Sequence, residues 1–412
     1  MGRCSYSTVR TYRKGVGYVA DDGDDLVTTN AVVNLCGTSD DFQHLTLPYV
    51  YAFLRTDFFV EQVWSLLHRG VYPRMDTSAL HQILLPVAEE QGLVTYVAKL
   101  ALAIVEKENT IRARHQAGIA MIERELDAGN PGILQYCYPS SKEILDAARM
   151  DAGFWSPALR AQIHRLKHYR RGAWNSIYDA GFTTRRGQNL QVSAVGQGYY
   201  FDEAVGAACP LATPGDISDY MTIPHFRYYG NPRTLDKVRH GEVIFAAKGV
   251  REVSIGHTWV NLGFESFLTN IDAFLIHSPS LVRNIALAFL FSYLKRTGVF
   301  AKLADTSNGG SFVQNYFDSL PIPKFDDEFI EKVAQYYHSP APPPNREQTL
   351  DNFVDWHREW NKTLGIWELD RELKCLQRTL SAVQEKIIEG SSMKLPFSDA
   401  GGPVVAGMRD MP

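Results

Sequence analysis

The sequence offers little on which chemistry could be built. Its 412 residues hold five cysteines, Cys4, Cys36, Cys137, Cys209 and Cys375, dispersed and without a CxxC pair. That pattern fits a reducing compartment and argues against a structural zinc site. No Gly-x-x-x-x-Gly-Lys-Ser/Thr phosphate loop occurs, and Gly196-Gln197-Gly198 is too short to stand for a cofactor loop. Asn231-Pro232-Arg233 lacks the second proline and the aromatic residue of an adenine-amino methyltransferase motif. Glu331-Lys332 has no preceding acid in a strand, as a metal nuclease would need, and His257, His277 and His357 stand isolated. The chain is therefore expected to be no enzyme, with no catalytic residue, no metal ligand and no cofactor of its own.

Long apolar runs are missing as well. The most membrane-like stretch, Ile285 to Tyr293, is bounded by Arg283 and Lys295 and is far short of the ~20 residues a spanning helix needs. The N-terminus has no secretory segment, so the expectation is a soluble, cytoplasmic protein. The net charge of −4 gives no global sign of a polyanionic partner, although an average can hide a local basic face. With 45% hydrophobic and 21% charged residues, most of the chain should fold, and its length suffices for two or three domains.

What the sequence has is helical period. Apolar residues recur every three or four positions at Leu93, Val97, Leu100, Ile104, Ile111, Ile119, Ile122 and Leu126, with Glu106, Lys107, Glu108, Arg112, Arg114, Glu123 and Arg124 between them. This predicts one continuous helix over Gln82 to Leu126, a narrow apolar stripe on a charged rod, ended by Gly129-Asn130-Pro131-Gly132. A second seam, Ile366, Leu369, Leu373, Leu376, Leu380, Val383 and Ile387, keeps a strict alternation of three and four. Burying such side chains is worth ~1.5–3 kcal/mol each, so each helix needs a partner. The two are expected to pair with each other, antiparallel.

The blocks before these helices resemble one another. Lys14-Gly15-Val16 precedes a helix over Leu47 to Leu67 containing Phe53-Leu54-Arg55-Thr56; Arg69-Gly70 and Leu85-Pro86-Val87 follow. In the later block the order is Lys248-Gly249-Val250, a helix over Leu281 to Thr297 ending Tyr293-Leu294-Lys295-Arg296-Thr297, then Gly309-Gly310 and Leu320-Pro321-Ile322-Pro323. Such ordered matches point to duplication. Strands are expected at Gly17–Ala20, Ala31–Leu35 and Glu242–Ala246, with acidic turns at Asp21–Asp25 and Asp40-Asp41, and further helices at Lys142–Arg149 and Pro157–Tyr169. The later block is far longer, so the first matches only its C-terminal portion.

Tyr51-Ala52-Phe53-Leu54, Gly70–Met75 and Ile83–Val87, with their counterparts Phe291–Leu294, Gly309-Gly310-Ser311 and Tyr316–Pro323, resemble the close of a target-recognition domain in specificity (S) subunits of type I restriction–modification enzymes. Gly241-Glu242 stands where that family carries Gly-Asp before an apolar strand, here Val243-Ile244-Phe245. The resemblance covers roughly residues 14 to 390 and implies an α+β architecture of mixed α/β recognition domains separated by long helices that pair as an antiparallel coiled coil. The boundaries are then a partial first recognition domain at 1–80, a spacer helix at 81–130, a second recognition domain at 131–326, a second helical region at 327–390 and a disordered tail at 391–412. It also implies a non-catalytic reader of a split site in double-stranded DNA. Such a subunit docks methyltransferase (M) subunits and, through them, motor-nuclease (R) subunits, with no membrane partner. A truncated relative persisting as an assembly scaffold is the alternative.

DNA contacts are expected where charge collects. Between Arg160 and Leu190 seven basic residues face one acid, Asp179. Arg165, Lys167, Arg170 and Arg171 suit phosphates, while Arg185, Arg186, Gln188 and Asn189 have the donors for bidentate base contacts. Arg233, in Tyr228-Tyr229-Gly230-Asn231-Pro232-Arg233, is a second candidate. The plain alternative for both is a solvated face and a packed turn.

Overall fold

Valine-rich runs near residues 16 and 32 form strands, and they form a sheet that the chain builds twice. The computed structural model describes residues 3–9, 14–19, 28–29, 31–35, 45–67, 74–129, 132, 134–135, 137–147, 149–231, 233, 235–249, 254–263, 266–304, 310–393 and 395–397. The expected acidic turns at Asp21–Asp25 and Asp40-Asp41 lie outside these residues, as do Arg69-Gly70 and Gly309. The chain divides into two units: Met1–Thr110 with Pro340–Leu364 and Leu369–Met411, and Ile111–Ser339 with Gly365–Glu368.

In the first unit, β1 (Arg3–Ser7) lies between β2 (Val16–Val19) and β3 (Val32–Leu35), all antiparallel. Two helices follow, α1 (Leu47–Leu54) and α2 (Asp57–Leu66), then a 3-10 turn, Thr77–Gln82. Fully buried Tyr6 sets its ring edge-on to Phe59 of α2 at 5.2 Å. The helix expected over Leu47–Leu67 is two, because Thr56 interrupts it: its Oγ1 accepts from Phe59 N at 3.3 Å and caps a fresh N-terminus.

The second unit opens with α4 (Ser141–Ala147), α5 (Pro157–Lys167), β4 (Ala173–Trp174), β5 (Thr183–Arg186) and α6 (Val192–Val195). A small sheet follows, in order β6 (Tyr199–Phe201), β8 (Arg227–Gly230), β7 (Cys209–Leu211). Next come β9 (Val243–Ala246), β10 (Thr258–Val260) and β11 (Ala273–His277), with β9 in the centre and β5 added outside β11. Then follow α7 (Leu281–Arg296), α8 (Val299–Leu303), a 3-10 turn over Gln314–Ser319, and β12 (Ile322–Pro323), paired with β4. Phe245 packs against Phe291, Phe300, Phe312 and Phe317, with ring centroids 4.9–5.4 Å apart. Phe300 of α8 thus meets the central strand as Phe59 of α2 does.

The equivalence reaches single hydrogen bonds. Thr8 N donates to Ala31 O and Met75 N to Thr8 O; Ala247 N donates to Asp272 O and Phe312 N to Ala247 O. After α1, Thr56 Oγ1 turns back to Phe53 O, and after α7, Thr297 Oγ1 turns back to Tyr293 O and Leu294 O. The registers therefore match β1 with β9, β2 with β10 and β3 with β11. They also correct the sequence alignment at two points. Lys14-Gly15-Val16 leads into β2, whose counterpart is β10, whereas Lys248 follows β9, so the two Lys-Gly-Val segments are not equivalent. The six-residue 3-10 turns set Pro86 opposite Pro323, not Pro321.

The long helix is α3, Gln91–Ala128. It begins after the expected Gln82, since Pro86 keeps the chain extended between the 3-10 turn and the helix. Its first half is buried on more than the expected stripe: Val94, Tyr96, Ala98, Ala101, Ala103 and Val105 are buried beside Leu93, Val97, Leu100 and Ile104. The second copy's closing helix is interrupted. α9 (Asp327–Gln335) ends near Pro340, and residues 338–365 make an excursion containing α10 (Phe353–Asn361) before α11 (Ile366–Ile388). Ile366 N and Trp367 N donate to Tyr336 O and Tyr337 O at 2.9 and 2.8 Å, so the first turn of α11 is bonded to the last turn of α9. A Cβ on Gly365 would lie 2.5 Å from Tyr337 O, and only glycine fits this junction.

Within the first unit the excursion covers α3. Phe353 meets Tyr96 edge-on, Arg358 pairs with Glu106, and Lys107 Nζ bonds Asn361 Oδ1 at 2.6 Å with Trp360 beneath it. Leu395 lies against Gly92 and Phe397 against Tyr96, just past the end of α11, while Lys107 feels Glu372 near its start. α3 and α11 therefore run antiparallel here. The segment expected to be a loose tail from residue 391 is held as far as Phe397. Leu369, Leu373, Leu376 and Val383 are buried, while Leu380 and Ile387 are half-buried; in the second unit Ile111 and Ile366 are buried.

Lys107 is fully buried, and burial pushes its ammonium down to about 8, partly opposed by Glu372. Between pH 8 and 10.5 the unfolded chain holds a proton at this position that the folded chain has lost, so stability rises with pH across that window. Burial holds Cys4 and Tyr96 up at about 12, which lowers stability as pH rises past their ordinary values, so the test is the difference. From pH 8 to 10 the denaturation midpoint of the Lys107→Met variant should fall relative to that of the parent.

Candidate nucleic-acid interface

α5 starts at Pro157 with Ser156 Oγ accepting from Leu159 N, buries Leu159 and Leu166, and ends on His164, Arg165 and Lys167, a charge sign that suits a helix C-terminus. Its basic residues and those just after it were expected to face DNA; Arg165, Arg170 and Arg171 each make an ion pair within the protein, Arg170 and Arg171 from exposed positions. Arg165 bonds Asp127, Glu123 O and the Tyr293 hydroxyl, while Arg170 pairs with Glu125 at 2.5 Å. Arg171 pairs with Asp326 at 3.1 Å. Arg296, at the end of α7, adds a pair with Glu123 at 2.6 Å. The acidic last turns of α3 thus absorb much of the basic patch, which fastens α5 and α7 to that helix. Lys167 stays exposed, with no ion pair among the described residues.

The next cluster also bonds within the protein, with Arg185, Gln188 and Asn189 half-buried and Arg186 exposed. Arg185 on β5 reaches Glu242 with Nε and a terminal nitrogen, at 3.0 and 2.6 Å, and donates to Lys237 O. Glu242 is only 2% exposed and also accepts from Arg239 N. Arg186 lies over the Phe274 ring at 4.6 Å and donates to Ile271 O. Gln188 accepts from Asp236 N and donates to Asn189 O, and Asn189 Oδ1 accepts from Gln191 N. Arg233 donates to Ala194 O, while Asn231 holds Val195 O and Gln197 O. Tyr229 is buried in an apolar cluster with Leu211 and Leu268.

Two features escaped the sequence reading. Tyr199 and Tyr200 on β6 are 57% and 56% exposed, opposite Gly230 and Tyr229 of β8, whose first residue, exposed Arg227, pairs with Asp216 at 3.4 Å. The Gly-Tyr-Tyr run at Gly198 was the available signal, but alternation alone would have turned one ring inward. The other feature is a cavity of about 230 Å³ whose lining includes His115, Asp219, Tyr220, His257, Ser292 and Lys295. Asp219 accepts from His257 Nε2 at 2.8 Å and Lys295 at 2.7 Å; burial, opposed in part by Asp219, holds His115 down at about 4. These groups come from four separate segments, so no local spacing could reveal them. Among the described residues no cluster of three His, Cys, Asp or Glu could hold a metal, and no helix is long and apolar enough to cross a membrane.

The architecture is that of an α+β chain in which mixed α/β units are linked by long helices with antiparallel contacts. Three solved structures are similar to it. One is a chain from a study of complex assembly and conformational transition of the type I R-M system, 16% identical over 95% of this chain and 82% of that one, with a TM-score of 0.30. The S subunit of a type I restriction–modification system from M. genitalium is 12% identical over 94% and 81%, at 0.38. The HsdS subunit from Thermoanaerobacter tengcongensis is 17% identical over 95% and 81%, at 0.27. No family model matches the chain, and no curated protein does.

Arg185→Met should destabilise the second unit by about 3 kcal/mol in urea melts, because it leaves a buried carboxylate without its partner. Lys167→Ala should stay within about 0.5 kcal/mol of the parent. Acid should act through His115: from pH 6.5 down to 4 the unfolded chain takes up a proton there that the folded chain refuses, so stability falls with pH. His115→Leu should make that fall shallower.

Proposed function

We propose that this chain is a non-catalytic DNA-reading subunit of a type I restriction–modification assembly. On this reading it binds a split site in double-stranded DNA and docks methyltransferase subunits, which bring in the motor-nuclease subunits. The observation that carries the reading is the duplication: one sheet–helix–helix–3-10 unit occurs twice and leads each time into helix, with α3 and α11 antiparallel. A reader of two half-sites needs two such units and a spacer of fixed length, and an uninterrupted helix supplies fixed length at ~1.5 Å per residue. The helix pairing is read as a coiled coil over the seam residues from Leu93 and from Ile366.

On this proposal exposed Lys167 and Arg186, which have no ion pair among the described residues, take phosphate and the exposed Tyr199 and Tyr200 approach the groove, while Arg165 and Arg185 position the elements that carry them. The same internal pairing favours a second reading, an assembly scaffold that binds methyltransferase subunits through its helices and reads no bases.

Selection from a random duplex library by the chain with its methyltransferase subunit separates the two. A reader enriches a split sequence, with affinity that falls steeply as salt rises. Lys167→Ala should then weaken binding alike on all sequences and lower the salt slope by about one. Methyltransferase binding with no enriched sequence at moderate salt would leave the scaffold.

A further inference from the structure

The cavity lined by His115, Asp219, Tyr220, His257, Ser292 and Lys295 belongs wholly to the second unit and has no part in the readout proposed above. One of its walls is a loop that the chain holds under strain. Met221, buried and carrying a long side chain, takes a φ of 59°, a left-handed value that residues other than glycine adopt at a cost. Ser218 fixes the loop in that form. Its N–H donates to Thr222 O at 2.8 Å, and its Oγ accepts from Tyr220 N and Thr222 N at 3.1 and 3.3 Å. Such strain persists where it presents side chains for use, and the loop presents Asp219 and Tyr220 to the cavity.

Charge, polar pattern and shape define what the cavity suits. Asp219 is met by Lys295 and Arg296 by Glu123, while burial is the main cause that holds His115 and His257 below the ordinary histidine range. No net charge is left over for an ion. Both bonds to Asp219 fall on Oδ1, from His257 at 2.8 Å and Lys295 at 2.7 Å. Oδ2 therefore stands ready to accept, with the ammonium of Lys295, which has protons to spare, a donor beside it. His115 is only 6% exposed, and its Nε2 has no hydrogen bond among the described residues, a costly state for a buried ring nitrogen. The rings of His115 and Tyr220 stand edge-on at 5.8 Å. A cavity of ~150 Å³ takes benzene, so about 230 Å³ takes a fused pair of rings.

We propose that this cavity binds an uncharged purine ring. The pairing edge of a purine sets a donor beside an acceptor, the complement of Asp219 Oδ2 beside Lys295. In adenine the N6 amino group donates to the carboxylate and N1 accepts from the ammonium. The ring lies against Tyr220 and His115, and one of its remaining nitrogens meets His115 Nε2. The inference goes beyond the reading of the chain as a DNA reader or a scaffold and holds under either.

The test is calorimetric titration of the full chain with adenosine, for which saturable binding with a Kd of about 1 mM or tighter is expected. N6,N6-dimethyladenosine, which lacks the donor, should bind about tenfold more weakly or worse. Asp219→Ala should match that loss, and His115→Leu should cost about fivefold, each with the fold checked by circular dichroism. An oligonucleotide with one adenine among abasic positions separates the two sources of such a ring. If it displaces adenosine, the ring is a base presented by a strand; if it does not, the ligand is the free molecule. Two results overturn the proposal, and both use the parent chain. One is no saturation with adenosine by about 10 mM. The other is dimethyladenosine binding as tightly as adenosine.

Discussion

A 38-residue helix carries its charges at every turn, and those charges must be matched wherever other elements lie against it. In α3 they are matched chiefly by arginine. Arg55, directly after α1, approaches Glu108 within the first unit, and Arg296, ending α7, pairs with Glu123 within the second. These two arginines hold equivalent places in the repeated core, so each copy of the fold fastens itself to the same helix by the same device. Exposed pairs of this sort are individually worth ~0–1 kcal/mol. Their use is in fixing register, and apolar burial supplies the bulk of the adhesion.

A local basic excess along the chain therefore does not tell how much of the charge is already paired within the protein. Charge counted along the chain from Arg160 to Leu190 cannot include Glu123, Glu125, Asp127, Asp326 or Glu242, which lie far away in sequence and meet those arginines in space. Gln188 and Asn189 show the same on a smaller scale. Their amides suit base edges, but they suit backbone turns equally well, and the turn before α6 takes both.

The fold was more legible. Period and punctuation located α7, α11 and β9, and the C-terminal end of α3, within a few residues, since each carries a strong apolar pattern and clear breakers; the start of α3 was placed nine residues early, across Pro86. The repeat was visible from end-of-helix signatures such as Arg55-Thr56 and Arg296-Thr297, whereas Lys-Gly-Val proved a coincidence of composition. What could not be read was burial on more than one side of α3. Lys107 falls on the seam, three residues after Ile104 and four before Ile111, but its charge suggested the solvated face; the excursion carrying Trp360 and Asn361 supplies the partners that allow its burial. The cavity around His115 and His257 was hidden for the same reason, its walls being assembled from distant segments.

The junction between α9 and α11 bears on how the chain folds. Starting a helix is the unfavourable step, because several residues must be ordered before the first hydrogen bond forms. α11 escapes part of that penalty: the carbonyls of Tyr336 and Tyr337 receive its first amides, so an existing helix end acts as its seed. The 28 residues from His338 to Gly365 close a loop whose entropic cost grows only slowly with length, so an excursion of this size costs little more than a short one, and the end of α9 supplies the first acceptors of α11 across it.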